Sequence, residues 1–189
     1  CAPSRASIMT GKYATRFGYE FTPVPDPARL ILTWLVEEDD AQLRGRIDRE
    51  VANNLPSYFD MGMPTEQITI AEVLQDAGYY TAHIGKWHLG VTNGMDPQSQ
   101  GFVDSLSLAG SSYLSENDPE VVNAKFDTSI DKMVWSSSQY AARFNGSKPF
   151  APDKYVTDYY TEEALKVIEN NQNRPFFLYL SHWAIHNPL

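Results

Sequence analysis

Five residues in this chain carry side chains suited to covalent or acid–base chemistry on an anion. They are Cys1, Arg5, Lys86, His88 and His186. Cys1 is the only cysteine and opens the stretch Cys1-Ala2-Pro3-Ser4-Arg5. A thiol, or a group made from it, can act as a nucleophile when a base and fixed cations stand near it. Lys86 and His88 flank Trp87, and His186 precedes Asn187-Pro188. Taken singly, each has a plainer reading. A lone cysteine is a small hydrophobe, Lys86 and His88 make a surface pair, and His186 is a turn residue. Together they put cations and proton donors on three separate segments.

Those segments need elements to position them. Pro3 suits the first turn of a helix and Gly11 its end, so Pro3 to Met9 is predicted helical. Its amino end presents free N–H groups and a dipole that favour an anion. Thr69 and Glu72 have capping-box spacing ahead of Ile70, Val73, Leu74 and Ala77, an apolar face that Gly78 closes. Tyr79 to Ile84 follows as a strand. Thr161 to Ile168 reads as a helix, and Phe176 to Leu180 as an apolar strand of the buried kind. Helix then strand, twice, predicts an α/β fold with a mainly parallel sheet flanked by helices. Ligands of such sheets sit beyond the carboxyl ends of the strands. Lys86 and His88 follow one strand and His186 the other. On extended backbone, Lys86 and His88 would face the same way. His83 alternates within its strand and is expected in the core.

The rest of the chain sets limits. With 42% hydrophobic residues in 189, one domain with a real core is affordable, and no apolar run is long enough to span a membrane. A formal charge of −9 argues against a general nucleic-acid binder. Residues 37–53 read as an exposed charged helix, with Glu37-Glu38-Asp39-Asp40 as its solvated start rather than a metal site. Residues 91–156 are rich in Ser, Asn, Asp, Gly and Pro and read as a loop-rich insertion with short elements. Within it, Tyr113, Trp135 and Tyr140 are candidates to stack on a sugar or aryl ring, or to pack the loops. Asn145-Gly146-Ser147 fits a glycosylation acceptor, a triplet that chance often supplies.

Cys1-Ala2-Pro3-Ser4-Arg5 with Thr10-Gly11 resembles the first signature of the type I sulfatases, in which the cysteine becomes Cα-formylglycine. Gly85-Lys86-Trp87-His88-Leu89-Gly90 is similar to the second signature. Pro97 and Gly101-Phe102-Val103-Asp104 resemble the stretch that follows it. Phe176 to Pro188 is similar to the strand and turn ending in the family's sulfate-binding histidine. The resemblance implies an alkaline-phosphatase-like sulfatase domain. It further implies that an enzyme installing formylglycine reads residues 1–5, and that aryl or carbohydrate sulfate esters are hydrolysed. One hydroxyl of the hydrated aldehyde would attack sulfur as the alcohol leaves. The other would lose its proton, the carbonyl would re-form, and inorganic sulfate would depart. Arg5 would stabilise the hydrated aldehyde, Lys86 would bind a sulfate oxygen, and His88 would hold and deprotonate a hydroxyl. Lys86 and His186 would lie near the leaving oxygen.

The family also binds calcium beside the nucleophile. Its acidic ligands would lie before Cys1 and after His186, leaving residue 1, as formylglycine, the one ligand in view. The chain is therefore expected to be an internal part of a sulfatase catalytic domain. It would lack the first strand, the carboxyl-terminal part and a complete calcium site, and be inactive alone. Family members work in the periplasm, the lysosome or secretions. Two rival readings remain. One is a phosphonate monoester or phosphodiester hydrolase of the same superfamily. The other is a non-catalytic relative with Cys1 unmodified. A cysteine protease fits poorly, because the cations suit an anionic substrate.

Overall fold

The computed structural model describes residues 1–23, 48–115, 118–121 and 139–186, and places them in two compact units. One is formed by residues 1–67 with 88–96, the other by 68–87 with 97–189.

The first unit is organised on helix α1, Ala2–Thr10. Cys1 is its N-cap and Pro3 lies in its first turn, where proline's fixed φ suits a helix and its missing N–H costs nothing. Gly11 ends it at φ 67°, returning its N–H to the Ser7 carbonyl. That is the left-handed stop glycine permits. Ala2, Ala6 and Met9 of α1 are buried, and so are Ala14, Tyr19, Met63, Leu89 and Met95 of the same unit. Short helix α2, Arg49–Asn54, starts where the Asp48 carboxylate accepts the N–H groups of Glu50 and Val51. The acidic run at 37–40 lies outside the described residues.

The second unit is a four-stranded sheet, β1 Tyr80–Gly85, β2 Asp104–Leu108, β3 Ala142–Phe144 and β4 Phe176–Ser181, in the order β3-β2-β1-β4. β1 pairs parallel with both β2 and β4, and β3 joins β2 antiparallel. The register sets Ile84 against Leu106 on one side and Leu180 on the other. Helix α3, Ile70–Asp76, precedes β1, and α4, Val156–Asn170, precedes β4. The fold is α/β with a mostly parallel sheet, as the helix–strand pattern predicts.

Each face of β1 has its own core. Ile84 packs with Leu106, Ala142, Val156, Tyr160, Ala164 and Trp183. On the opposite pleat His83 is fully buried, its Nδ1 3.0 Å from the Ser105 hydroxyl and its ring within 6 Å of Trp87, Phe102 and Tyr179. His83 is thus the core histidine expected from its place in the strand.

Three local expectations change. β4 is half-buried rather than buried, with Leu180 exposed, because β1 is its one partner among the described residues. The capping box of α3 forms in both directions, yet its predicted apolar face is not a core face, since Ile70 and Val73 are exposed. α3 is seated instead through small groups. Ala71 is fully buried, Thr69 donates to the Gln100 carbonyl, and a Cβ on Gly101 would stand 2.3 Å from the Glu72 nitrogen. Last, the Asn145 side chain is occupied. Its Oδ1 accepts the Ser105 N–H and its Nδ2 donates to Asp104, both at 2.7 Å. A glycan there would attach to the same Nδ2 that donates to Asp104.

Candidate active site

Cys1 is exposed, not packed as a hydrophobe. It caps α1, and helix geometry leaves the amides of Ala2 and Ser4 without an acceptor inside the helix. The Arg5 amide closes the first turn on the Cys1 carbonyl at 3.1 Å. A spacing of four residues places Arg5 on the same face as Cys1, one turn along. The third member of this group arrives from 87 positions away: His88 Nδ1 lies 3.3 Å from Cys1 Sγ.

His88 holds this place on unusual backbone. Its φ is 63°, a left-handed value that a non-glycine residue adopts only when its surroundings demand it. β1 has already ended at Gly85, φ 108°. The backbone is therefore not extended at His88, and strand alternation does not relate Lys86 to His88. The turn is held from several directions. Tyr19 Oη donates to the His88 carbonyl at 3.3 Å, and the Met63 N–H donates to Leu89 at 2.8 Å. Leu89 itself is fully buried. Burial, with Tyr58 adding to it, raises the Tyr19 phenol well above its ordinary range, so Tyr19 stays a donor.

The second group stands past the ends of β1 and β4. The Lys86 amide donates to the Ser181 carbonyl at 2.8 Å. Gly85 permits this approach, since a Cβ there would meet the same carbonyl oxygen. The Lys86 side chain is buried, with Nζ 4.5 Å from the centre of the Trp183 ring. The His186 ring stacks on Trp183 at 3.9 Å and 18°, and the His186 backbone N–H closes a turn onto the Trp183 carbonyl. Tyr113 Oη takes the His186 N–H at 3.0 Å and donates to the His186 carbonyl at 3.1 Å.

The five predicted residues therefore fall into two sets, Cys1, Arg5 and His88 in one, Lys86 and His186 in the other. Trp183 and Tyr113 were not foreseen in this setting. Tyr113 is buried, stacked on Tyr155 and tied to His186, so it packs the loops rather than offering a sugar platform. The Tyr140 hydroxyl is spent on the Lys154 carbonyl, and Trp135 lies outside the described residues. The only signal for Trp183 was an aromatic between two histidines.

Calcium takes six to eight oxygen ligands. Among the described residues no three His, Cys, Asp or Glu side chains gather where a metal could be held. The described residues do not make a calcium cage.

This sheet and its helices have the alkaline-phosphatase-like fold of the sulfatases. A crystal structure of Ps i-CgsB in complex with k-i-k-neocarrahexaose superposes with a TM-score of 0.64 at 26% identity, covering all of this chain and 35% of that one. The Sulfatase family model matches residues 1–189, and the chain belongs to that family. An arylsulfatase of Hemicentrotus pulcherrimus is 29% identical over 196 residues, spanning 100% of this chain and 29% of its own length. The N-acetylgalactosamine-6-sulfatase of Canis lupus familiaris is 25% identical over 195 residues, spanning 100% of this chain and 31% of its own. The chain thus spans about three-tenths of the length of these curated relatives. Among the described residues no helix is long and apolar enough to cross a membrane.

Proposed function

We propose that this chain carries the nucleophile half of a sulfuric ester hydrolase, with Cys1 converted to formylglycine. The observation that supports this best is the contact of Cys1 Sγ with His88 Nδ1 at the amino end of α1. In the converted enzyme, Sγ stands in for a hydroxyl oxygen of the hydrated aldehyde. A neutral His88 there accepts a proton from that hydroxyl. The dipole of α1 and the Arg5 guanidinium favour the negative charge that develops.

The chemistry is two transfers on one carbon. One hydroxyl oxygen forms a bond to sulfur as the ester's S–O bond breaks and the alcohol leaves with a proton. Lys86 and His186 are the residues available to bind the sulfate oxygens and supply that proton. His88 passes its first proton to solvent and, neutral again, takes the proton of the second hydroxyl. The aldehyde carbonyl re-forms, the bond from carbon to the sulfated oxygen breaks, and sulfate departs. Water re-hydrates the aldehyde. The substrate class is an aryl or carbohydrate sulfate ester, in keeping with relatives named arylsulfatase and N-acetylgalactosamine-6-sulfatase. An enzyme that installs formylglycine is then a required partner, and the site of action lies outside the cytosol.

Full-length enzyme, co-expressed with a formylglycine-generating activity, tests the reading on paired aryl sulfate and aryl phosphonate substrates. A kcat/KM that favours the sulfate supports it, and faster phosphonate cleavage overturns it. Lys86→Ala, His88→Ala and His186→Ala should each lose about 100-fold or more.

A further inference from the structure

The second group of residues has a feature that a list of cations does not capture. A single side chain, Trp183, touches both Lys86 and His186. Its own placement is fixed. The indole N–H donates to the Ser111 carbonyl at 3.0 Å, and the side chain packs in the core with Ile84, Tyr160 and Ala164. The backbone around it is fixed as well, through Lys86 N–H to Ser181 and through Tyr113 gripping both backbone groups of His186.

We propose that Trp183 is a positioning residue for sulfate transfer, its indole face holding the Lys86 ammonium and the His186 ring in the places where they meet the ester. The inference rests on the reading of Lys86 and His186 given above. The Lys86 side chain is buried, and a buried ammonium is costly unless something answers its charge. The face of an indole carries negative potential and attracts a cation most strongly of the aromatic side chains, more so where water is excluded. It does so without neutralising the charge, as a carboxylate would. Stacking adds a second constraint, because a ring held face to face at 3.9 Å cannot turn its nitrogens freely. Trp183 is not itself a reacting group. It acts by restricting the two that are.

A side chain in a core has an obvious alternative role as filler. The two are separated in the full-length enzyme by changing the ring's electrons and not its shape. Tryptophan analogues carrying one to four fluorines, placed at position 183, drain the face progressively. The expected result is a stepwise fall in kcat/KM, carried mainly by kcat, together with a stepwise weakening of inhibition by inorganic sulfate. The last member should be down about 10-fold. A flat series overturns the inference.

Trp183→Met, which fills the space without the ring, should lose about 30-fold or more. Trp183→Phe should recover most of that, since it restores a face for both partners. In Lys86→Ala and His186→Ala backgrounds the loss from Trp183→Met should shrink, because its partners are gone. An undiminished loss in both backgrounds marks a purely structural role and overturns the inference. If Lys86→Ala and His186→Ala retain full activity, the functional reading falls and this inference with it. If those two variants are crippled while the fluorinated series is flat, the inference alone falls.

Discussion

Cys1 and His88 stand 3.3 Å apart, Sγ to Nδ1, although 87 residues separate them in the chain. Two pieces of backbone bring this about. The N-cap of α1 offers residue 1 to solvent, and the left-handed turn at His88 carries the imidazole to it. If the pair is a nucleophile precursor and its base, two measurements follow. Peptide mass spectrometry of the first segment from active enzyme should show residue 1 lighter by the difference between a CH2SH and a CHO side chain. Cys1→Ala should have no measurable sulfatase activity. A plain thiol in fully active enzyme would defeat the assignment.

How much of this was legible beforehand depends on how local each signal is. The capping box of Thr69 and Glu72 is set within four residues, and it forms as spaced. Pro3 and Gly11 bracket α1 for the same reason. β1 forms where Tyr79 to Ile84 reads as a strand directly after the Gly78 stop. β2 is different. Asp104-Ser-Leu-Ser-Leu has little strand character of its own, and is a strand because β1 and β3 supply its hydrogen bonds. β3 is three residues long and left no pattern to find.

The site divides along the same line. Residue types and motif order pointed to Cys1, Arg5, Lys86, His88 and His186. Their orientation was not written in that order. The turn that carries His88 at a positive φ is held by Tyr19 and Met63, both distant in sequence, and Gly85 and Gly90 on either side were the only local warning. Trp183 was invisible as a partner because stacking is a property of the folded turn.

Gly62 leads to a second prediction. A Cβ at this position would lie 2.6 Å from the Leu89 carbonyl oxygen and 2.8 Å from Gly90 Cα, both backbone atoms that cannot step aside. The Met95 sulfur, at 2.5 Å, could move. Gly62→Ala should therefore push the 88–90 turn outward. We expect a loss of about 1–3 kcal/mol in stability and at least about a 10-fold drop in kcat/KM as His88 leaves its place. Urea unfolding and steady-state kinetics on the same variant check both. Unchanged kinetics would show that the turn is not held through Gly62.

A third prediction concerns Asn145, which joins β2 to the end of β3. Its amide takes the Ser105 N–H and gives a hydrogen bond to Asp104, whose other oxygen accepts from Tyr80. It also adopts φ 44°, which asparagine tolerates better than most residues. Asn145→Ala leaves a backbone donor and a carboxylate oxygen short of a partner and adds backbone strain. The cost should be about 2–3 kcal/mol. Asn145→Asp, which keeps the acceptor but sets a second carboxylate beside Asp104, should also destabilise. Denaturant midpoints measure both. A midpoint unchanged in Asn145→Ala would mean that the side chain is spectator to the fold.

The tyrosines set the behaviour at high pH. Burial is the largest cause in each case. It raises Tyr160, with Tyr159 and Tyr140 adding to the effect, and it pushes Tyr80 and Tyr140 up to about 12. An unfolded tyrosine ionises near pH 10. The folded state therefore binds these protons more tightly than the unfolded one. The stability they contribute is complete below about pH 10 and drains away as pH climbs toward 12. Urea midpoints should be level between neutral pH and about 9, then fall, with phenolate absorbance appearing in step with unfolding. Tyr160→Phe isolates one member. The Tyr160 hydroxyl is buried and has no hydrogen-bond partner among the described residues. Its removal should stabilise the protein at neutral pH by about 1 kcal/mol and make the alkaline decline shallower. An alkaline profile identical to that of the unsubstituted protein would mean that Tyr160 already ionises in the folded state.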